Sequence, residues 1–200
     1  VPQDVLQKVF EIAQWAPSNC NIQPWHVLVA SGVTRDKIRA QLMENVKNQV
    51  PPNPDYDYPG KFENEYRTRQ VECAVAMYST MGIGRDDKEG RMRAAFRNFE
   101  LFDAPHVAFI CMHERFGTTV AVDVGMYAQN LMLAMTAHGI SSCAQGSMRN
   151  YPDVAREAFG ASPEYKVLFG ISFGYEDPDV PANATRTVRA DLSENVQFRE

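Results

Sequence analysis

The sequence predicts a single domain of mixed helices and strands over residues 1–200. Three observations predict it. Apolar residues recur at helical spacing in residues 4–16 and 61–81. Short β-rich runs occur at 25–30, 106–112 and 165–173, with a smaller one at 140–144. One segment, 119–138, is apolar nearly all round, which calls for burial on every side. A proline-rich interruption at 50–60 does not divide the chain, because neither side of it alone carries enough strands and helices for a fold.

With 44% hydrophobic and 22% charged residues, the chain has ordinary globular composition and enough length to bury a core without staples. A formal net charge of −5 implies no strongly basic face, so nucleic acid is not expected as a partner. No apolar run approaches the roughly 18 residues of a membrane span and no secretory leader is visible, so a cytoplasmic location is expected. The chain starts Val1-Pro2 without Met, and further residues are expected upstream. Cys20, Cys73, Cys111 and Cys143 are far apart, without C-x-x-C or a His at ligand spacing. No metal site is expected, and the thiols are expected to be reduced and buried.

Taking the elements in order, residues 4–16 form a helix. Asp4 caps it with Gln7 three residues on, Val5, Leu6, Val9, Phe10 and Ala13 face inward, and Pro17 stops it. The stretch Ala16-Pro17-Ser18-Asn19-Cys20-Asn21-Ile22-Gln23-Pro24-Trp25 follows. Four polar side chains between two prolines fit recognition of a flat polar ligand, and equally a polar loop after a helix stop. Residues 25–30 are a buried strand, where His26 reads as a satisfied strand-edge histidine in preference to a chemical one. Thr34 caps a second helix to about residue 48; the proline-rich run 50–60 then forbids regular structure and reads as a lid or linker. A third helix over 61–81 places Phe62, Tyr66, Gln70, Cys73, Met77 and Met81 on one side, and a fourth helical piece covers 87–102. Gly82 and Gly84 between them lack the third glycine and the preceding strand of a dinucleotide fingerprint. Arg85, Asp86 and Arg91 there read as a solvated connection.

A strand at 106–112 precedes the long helix 119–138, which Gly139 ends. Its all-round apolarity fits a subunit interface, although its methionines also suit adaptable core filling. A strand at 140–144, a helix at 152–159 and a strand at 165–173 complete the body. The tail from Gly174 has few core residues and needs something to dock on, a partner protomer being one choice.

Gly170-Ile171-Ser172-Phe173-Gly174 matches the G-x-S-x-G nucleophile elbow. Every histidine precedes Ser172, and a proline-rich tail rather than a helix follows it, so hydrolase chemistry is set aside. With no catalytic dyad or P-loop in view, the sequence invites a cofactor that carries the reaction.

Ala16, Pro17, Ser18, Asn21, Gln23, Pro24 and Trp25 resemble the A-P-S-x-x-N-x-Q-P-W signature of the FMN-dependent nitroreductase family. Further pieces are similar and in order: Asn98 ahead of Phe102-Asp103-Ala104-Pro105, Asp123-Val124-Gly125, Cys143-Ala144-Gln145-Gly146, Gly170 to Tyr175, and Arg186-Thr187-Val188-Arg189. The resemblance covers nearly the whole chain. It implies an α+β sandwich with a central, mainly antiparallel sheet wrapped by helices. It also implies a homodimer with the long helix at the interface, a C-terminal arm (174–200) reaching the partner, and FMN bound between subunits. Pro17, Ser18, Asn19, Asn21 and Gln23 would meet the flavin ring and ribityl chain. Cys143, Ala144, Gln145 and Gly146 would lie along the ring, with the Gly146 amide near the hydride-accepting nitrogen. Asn98 would be a further flavin contact, and Arg186 and Arg189 would bind the phosphate. No side chain is expected to be catalytic. The family also carries an Arg-rich N-terminal arm whose place lies upstream of Val1, and a chain beginning at Val1 is expected to hold FMN weakly.

The implied activity is ping-pong hydride transfer: NADH or NADPH reduces the flavin, and a small nitroaromatic acceptor reoxidises it. The alternatives are flavin reduction of a quinone, an enone or a halogenated aromatic, or a non-catalytic flavin-binding protein. The acceptor pocket is assigned to the 50–100 region.

Overall fold

Strand β2 (His106–His113) is apolar on alternate and intervening positions alike, and it takes the place such a strand must take, inside the sheet with both faces covered. The computed structural model describes residues 1–58 and 60–199; Pro59, part of the proline-rich run, and Glu200 lie outside the described residues. Four antiparallel strands form one open sheet in the order β1 (Trp25–Ser31), β2, β4 (Tyr165–Gly174), β3 (Ser141–Gln145). The expected antiparallel α+β sandwich is the observed one.

Alternation along β2 builds two core layers. Ala108, Ile110 and Met112 pack with Leu6 and Val9 of α1 (Gln3–Ala13) and with Val124, Tyr127 and Leu131 of α5 (Thr118–Ala137). Val107, Phe109 and Cys111 pack on the opposite face with Ile38 and Leu42 of α2 (Gly32–Lys47) and with Val154 and Ala155 of α6 (Pro152–Phe159). The β2–β4 register slips between Ile110 and Cys111, where Leu168 bulges out of the ladder.

Several local expectations are corrected. Pro2, not Asp4, occupies the cap of α1, and Gln7 donates instead to Glu11 at 2.7 Å. Helix α1 ends at Ala13, four residues before Pro17. Helix α2 begins at Gly32, so Thr34 sits inside its first turn rather than capping it. Helix α4 (Lys88–Phe96) stops short of residue 102, because Leu101, Phe102 and Asp103 all take left-handed backbone. Gly139 ends α5 at φ +71°, as a left-handed stop requires. The four cysteines are free, but only Cys111 is buried; Cys20, Cys73 and Cys143 are exposed. Within one chain α5 is not covered all round: Val122 and Leu133 are 60% and 58% exposed.

The proline-rich run is irregular, yet its first half is pinned. Asp55 Oδ2 accepts from Arg156 at 2.6 Å and from the Val167 amide at 2.8 Å, beside the β4 bulge. Asn53 bonds Asp153 at 2.7 Å and the Asn150 carbonyl at 3.0 Å, and Tyr151 donates to the Val50 carbonyl. That half is neither lid nor linker.

The chain divides into two compact units. The first comprises Val1–Asp57 and Arg93–Glu176 and holds the sheet; the second comprises residues from Tyr58 to Met92 and the tail from Asp177. In the second, none of the residues of α3 (Asn64–Thr80) is buried, and Tyr66, Gln70 and Cys73 of its expected inner side are exposed. The tail forms a turn at Pro181–Ala184 and a short helix α7 (Leu192–Asn195) closed by an Asp191–Glu194 capping box. Arg69 of α3 reaches Glu194 at 2.9 Å.

Candidate active site

The stretch after α1 is a stiff loop of unusual backbone. Cys20, Asn21 and Gln23 have φ of +50°, +55° and +47°. Left-handed backbone costs about 1–2 kcal/mol per non-glycine residue, so such a run persists only where its surroundings fix it. Three contacts do so. Ser18 Oγ accepts from the Gln23 amide at 3.0 Å. Asp123, buried in α5, accepts from the Asn19 amide at 3.0 Å. Trp25 stacks on Tyr127 at 4.8 Å and donates its indole N–H to Gln14 at 2.9 Å. Pro17, Asn19, Asn21 and Gln23 remain exposed and Ser18 half-exposed, so the loop presents amide groups outward from a fixed frame. A cleft of about 310 Å³ opens beside it, lined by Gln23, Trp25, His26, His113, Arg115 and Tyr165. His26 stacks on Tyr165 at 3.8 Å, and burial holds its imidazole below the usual histidine range.

A second group gathers at the C-terminal end of β3. Cys143, Ala144 and Gly146 are exposed, whereas the Gln145 side chain is turned inward and only 2% exposed. Its Nε2 donates to the Asn98 carbonyl at 2.8 Å, and its Oε1 accepts from the Ser172 hydroxyl. Ser147 donates to Asn98 Oδ1 at 3.0 Å. Asn98 is itself placed by the left-handed turn at 101–103. Arg97 ties that turn to Glu100 and Asp103 at 2.7 Å each, and Arg39 also reaches Asp103 at 2.7 Å. The hydrogen bond from Arg97 holds the Asp103 carboxyl below the usual range. Beyond β3, Gly146 exposes its backbone; a Cβ there would meet only the Arg149 guanidinium at 3.3 Å.

The structure therefore joins Asn98 with Gln145, and Ser18, Asn21 and Gln23 with one another. Arg186 and Arg189 belong to the second unit, exposed in the tail. Arg186 folds onto the Asn183 and Thr185 carbonyls, and Arg189 onto Thr187 Oγ1 at 2.8 Å. Ser172 is buried mid-strand with Gln145 as partner, which disposes of the nucleophile elbow: the backbone there is a straight strand. Its flanking glycines answer to packing, since a Cβ at Gly170 would fall 2.5 Å from Met148 and one at Gly174 2.5 Å from Pro105. Sequence reasoning noted Asp123 but not its part in the loop, although a lone acid in an otherwise apolar helix was a readable signal. Among the described residues, no cluster of His, Cys, Asp and Glu has metal-binding geometry, and no helix is long and apolar enough to cross a membrane.

The chain is 39% identical over 199 residues to the nitroreductase NfnB of Mycolicibacterium smegmatis, covering 99% of this chain and 84% of that protein. It is 28% identical to a 4-nitrobenzoate reductase of Nocardioides sp., covering 99% and 82%. Its fold superposes with a TM-score of 0.95 on the FMN-dependent nitroreductase NfnB from Mycobacterium smegmatis solved with NADPH, at 38% identity over 100% of this chain and 90% of that one. Residues 1–175 match the nitroreductase family profile, and the chain belongs to that family.

Proposed function

We propose that this chain is an FMN-dependent oxidoreductase that uses NADH or NADPH to reduce nitroaromatic compounds, acting as a homodimer in the cytoplasm. The observation that carries the reading is the rigid, left-handed loop from Pro17 to Gln23, which holds exposed amide groups outward on a fixed frame. The donor set suits a flavin: amides and a hydroxyl for the polar ring edge and ribityl chain, and an exposed backbone at Gly146. When bound, FMN supplies two-electron hydride transfer from the nicotinamide to the acceptor.

The protein's own groups position and polarise. Pro17, Ser18, Asn19, Asn21 and Gln23 would hold the ring and ribityl chain. The exposed strand edge at Cys143 and Ala144 would face the ring, and the Gly146 N–H would supply an oriented backbone dipole that needs no reorganisation. Gln145 and Asn98 would support this site. Arg186 and Arg189 would bind the phosphate, releasing their carbonyl contacts to do so. No side chain transfers a proton.

The stripe of exposed Val122, Gln129 and Leu133 with half-buried Met126 on α5 supports the homodimer, since each lies three or four residues from the next. The core-poor tail, residues 174–200, is the arm that reaches the partner, and the whole chain acts as one domain of the dimer. The names of relatives, which include nitrobenzoate, chloronitrobenzene and nitrobenzene reductases, support a nitroarene as acceptor.

The test is optical. Purified protein incubated with FMN is expected to turn yellow, to bleach anaerobically with NADH or NADPH, and to recover its colour with a nitroarene while forming the hydroxylamine. Protein that stays colourless with FMN defeats the reading. Bleaching without nitroarene turnover, but with recovery on a quinone or an enone, would move the substrate class.

A further inference from the structure

We propose that Ser172, the serine of the G-x-S-x-G sequence, is a positioning residue for the flavin chemistry: through Gln145 it fixes the direction of the Gly146 amide. The inference rests on the reading that Gly146 faces the flavin. It starts from the hydrogen-bond inventory of Gln145. This side chain is 2% exposed and Ser172 3%, so each polar atom needs a partner inside the protein. The Asn98 carbonyl can only accept, which obliges Gln145 to present its NH₂ there, at 2.8 Å. Oε1 must then face the other way, and the Ser172 hydroxyl donates to it. Neither end of the amide can turn without orphaning a buried group.

The sheet register makes this arrangement possible. Gln145 pairs with Gly170 and Cys143 with Ser172, so Gln145 and Ser172 share a face as diagonal neighbours. Gly170 has no side chain between them, and Met148 closes the space above it. The strand ends at Gln145 and the next residue is Gly146. Gly146 has no side chain of its own to anchor it, so the peptide that carries its N–H is held from the preceding residue. A Gln145 side chain locked at both ends holds that peptide plane. The same feature explains why a small hydroxyl residue sits in a buried strand without any base to activate it.

The experiment measures the midpoint potential and the dissociation constant of FMN in the full chain, wild type against variants. Ser172→Ala removes the donor, leaves Oε1 unpaired, and frees the amide to rotate. The expected result is a tenfold loss in the reduced-to-oxidised equilibrium, a fall of about 30 mV for a two-electron couple. Ser172→Cys keeps the volume with a weaker donor, and an intermediate fall is expected. Gln145→Ala is expected to shift the potential as Ser172→Ala does, and the double variant to shift it no further, because the two act as one line. An unchanged potential in Ser172→Ala or Ser172→Cys, with only the melting temperature lowered, would overturn the proposal and leave Ser172 a packing residue. Additive shifts in the double variant would overturn the route through Gln145. Wild-type protein that takes up no FMN would instead remove the cofactor reading, a failure distinct from a bound flavin whose potential does not move.

Discussion

Replacing Asp123 by alanine is expected to weaken FMN binding about 30-fold while leaving the sheet intact. The carboxylate is 7% exposed and its Oδ2 accepts the Asn19 amide across 104 residues of sequence. Hydrogen bonds to charged acceptors contribute about 1.5–3 kcal/mol, and about 2 kcal/mol is a reasonable share here. The three left-handed residues beside it cost at least about 1 kcal/mol each, so the loop opposes its own conformation by about 3 kcal/mol or more, and losing the share that Asp123 supplies releases it. The Trp25–Tyr127 stack, with about 0.5–1.5 kcal/mol, does not replace that restraint. Losing about 2 kcal/mol of preorganisation appears in the dissociation constant as about 30-fold. Asp123→Asn retains an acceptor oxygen with a weaker, uncharged bond, and about a threefold loss is expected. Quenching of flavin fluorescence on titration measures both, with the melting temperature of the flavin-free protein as a control for general damage. FMN affinity in Asp123→Ala equal to wild type, at unchanged melting temperature, would refute the reasoning.

Four further outcomes are expected. Asp55→Ala leaves Arg156 and the Val167 amide short of a buried acceptor; since Arg156 keeps Asp153 at 2.6 Å, the loss is about 3 kcal/mol, or about 6–12 °C in melting temperature, whereas Asp153→Ala costs under about 1 kcal/mol. Arg189→Ala weakens FMN binding with riboflavin affinity unaffected, and equal losses for both ligands in a titration would contradict a phosphate role. Burial lowers the His26 pKa below its ordinary 6.5, so the unfolded chain binds the proton more readily. This contribution is complete above about pH 6.5 and is lost as pH falls through 6.5 towards the folded value; a melting-temperature profile should flatten in that window for His26→Phe, which keeps a ring against Tyr165. Leu133→Glu sets a charge in the exposed α5 stripe and is expected to halve the mass seen by sedimentation; a species of unchanged size would exclude that stripe from the interface.

Elements marked by periodicity or by a stop were legible: α5 with its Gly139 terminator, β2 as an apolar run, and β4 as a largely apolar one. Caps were less so. Asp4 looks like a cap from its neighbours alone, but Pro2 has already set the helix entry. The break at 101–103 was not legible either, because Leu101 and Phe102 have no propensity for left-handed backbone, and the ion pairs that stabilise the turn include Arg39, far away in sequence. The same limit applies at the site. The signature loop could be recognised, yet what holds it, Asp123, is a contact between distant residues. The motif marks Gln145 as a candidate flavin contact, but only the fold reveals that its side chain is buried against Asn98 and Ser172.

The sheet order has a consequence for how the chain folds. Central strand β2 pairs with partners 75 to 87 residues earlier, from Ser31↔His106 to Trp25↔Met112, and with partners 52 to 67 residues later, from His113↔Tyr165 to His106↔Phe173. Only β3 and β4 are near neighbours, separated by 25 residues at Gln145↔Gly170. Closing such long loops before any ladder repays them favours slow acquisition of the native sheet. A chain emerging from the ribosome cannot complete the central ladder until residues 165–174 are free. Until then β2, the most apolar strand, has an unpaired edge, and this is the interval in which the protein is most exposed to aggregation.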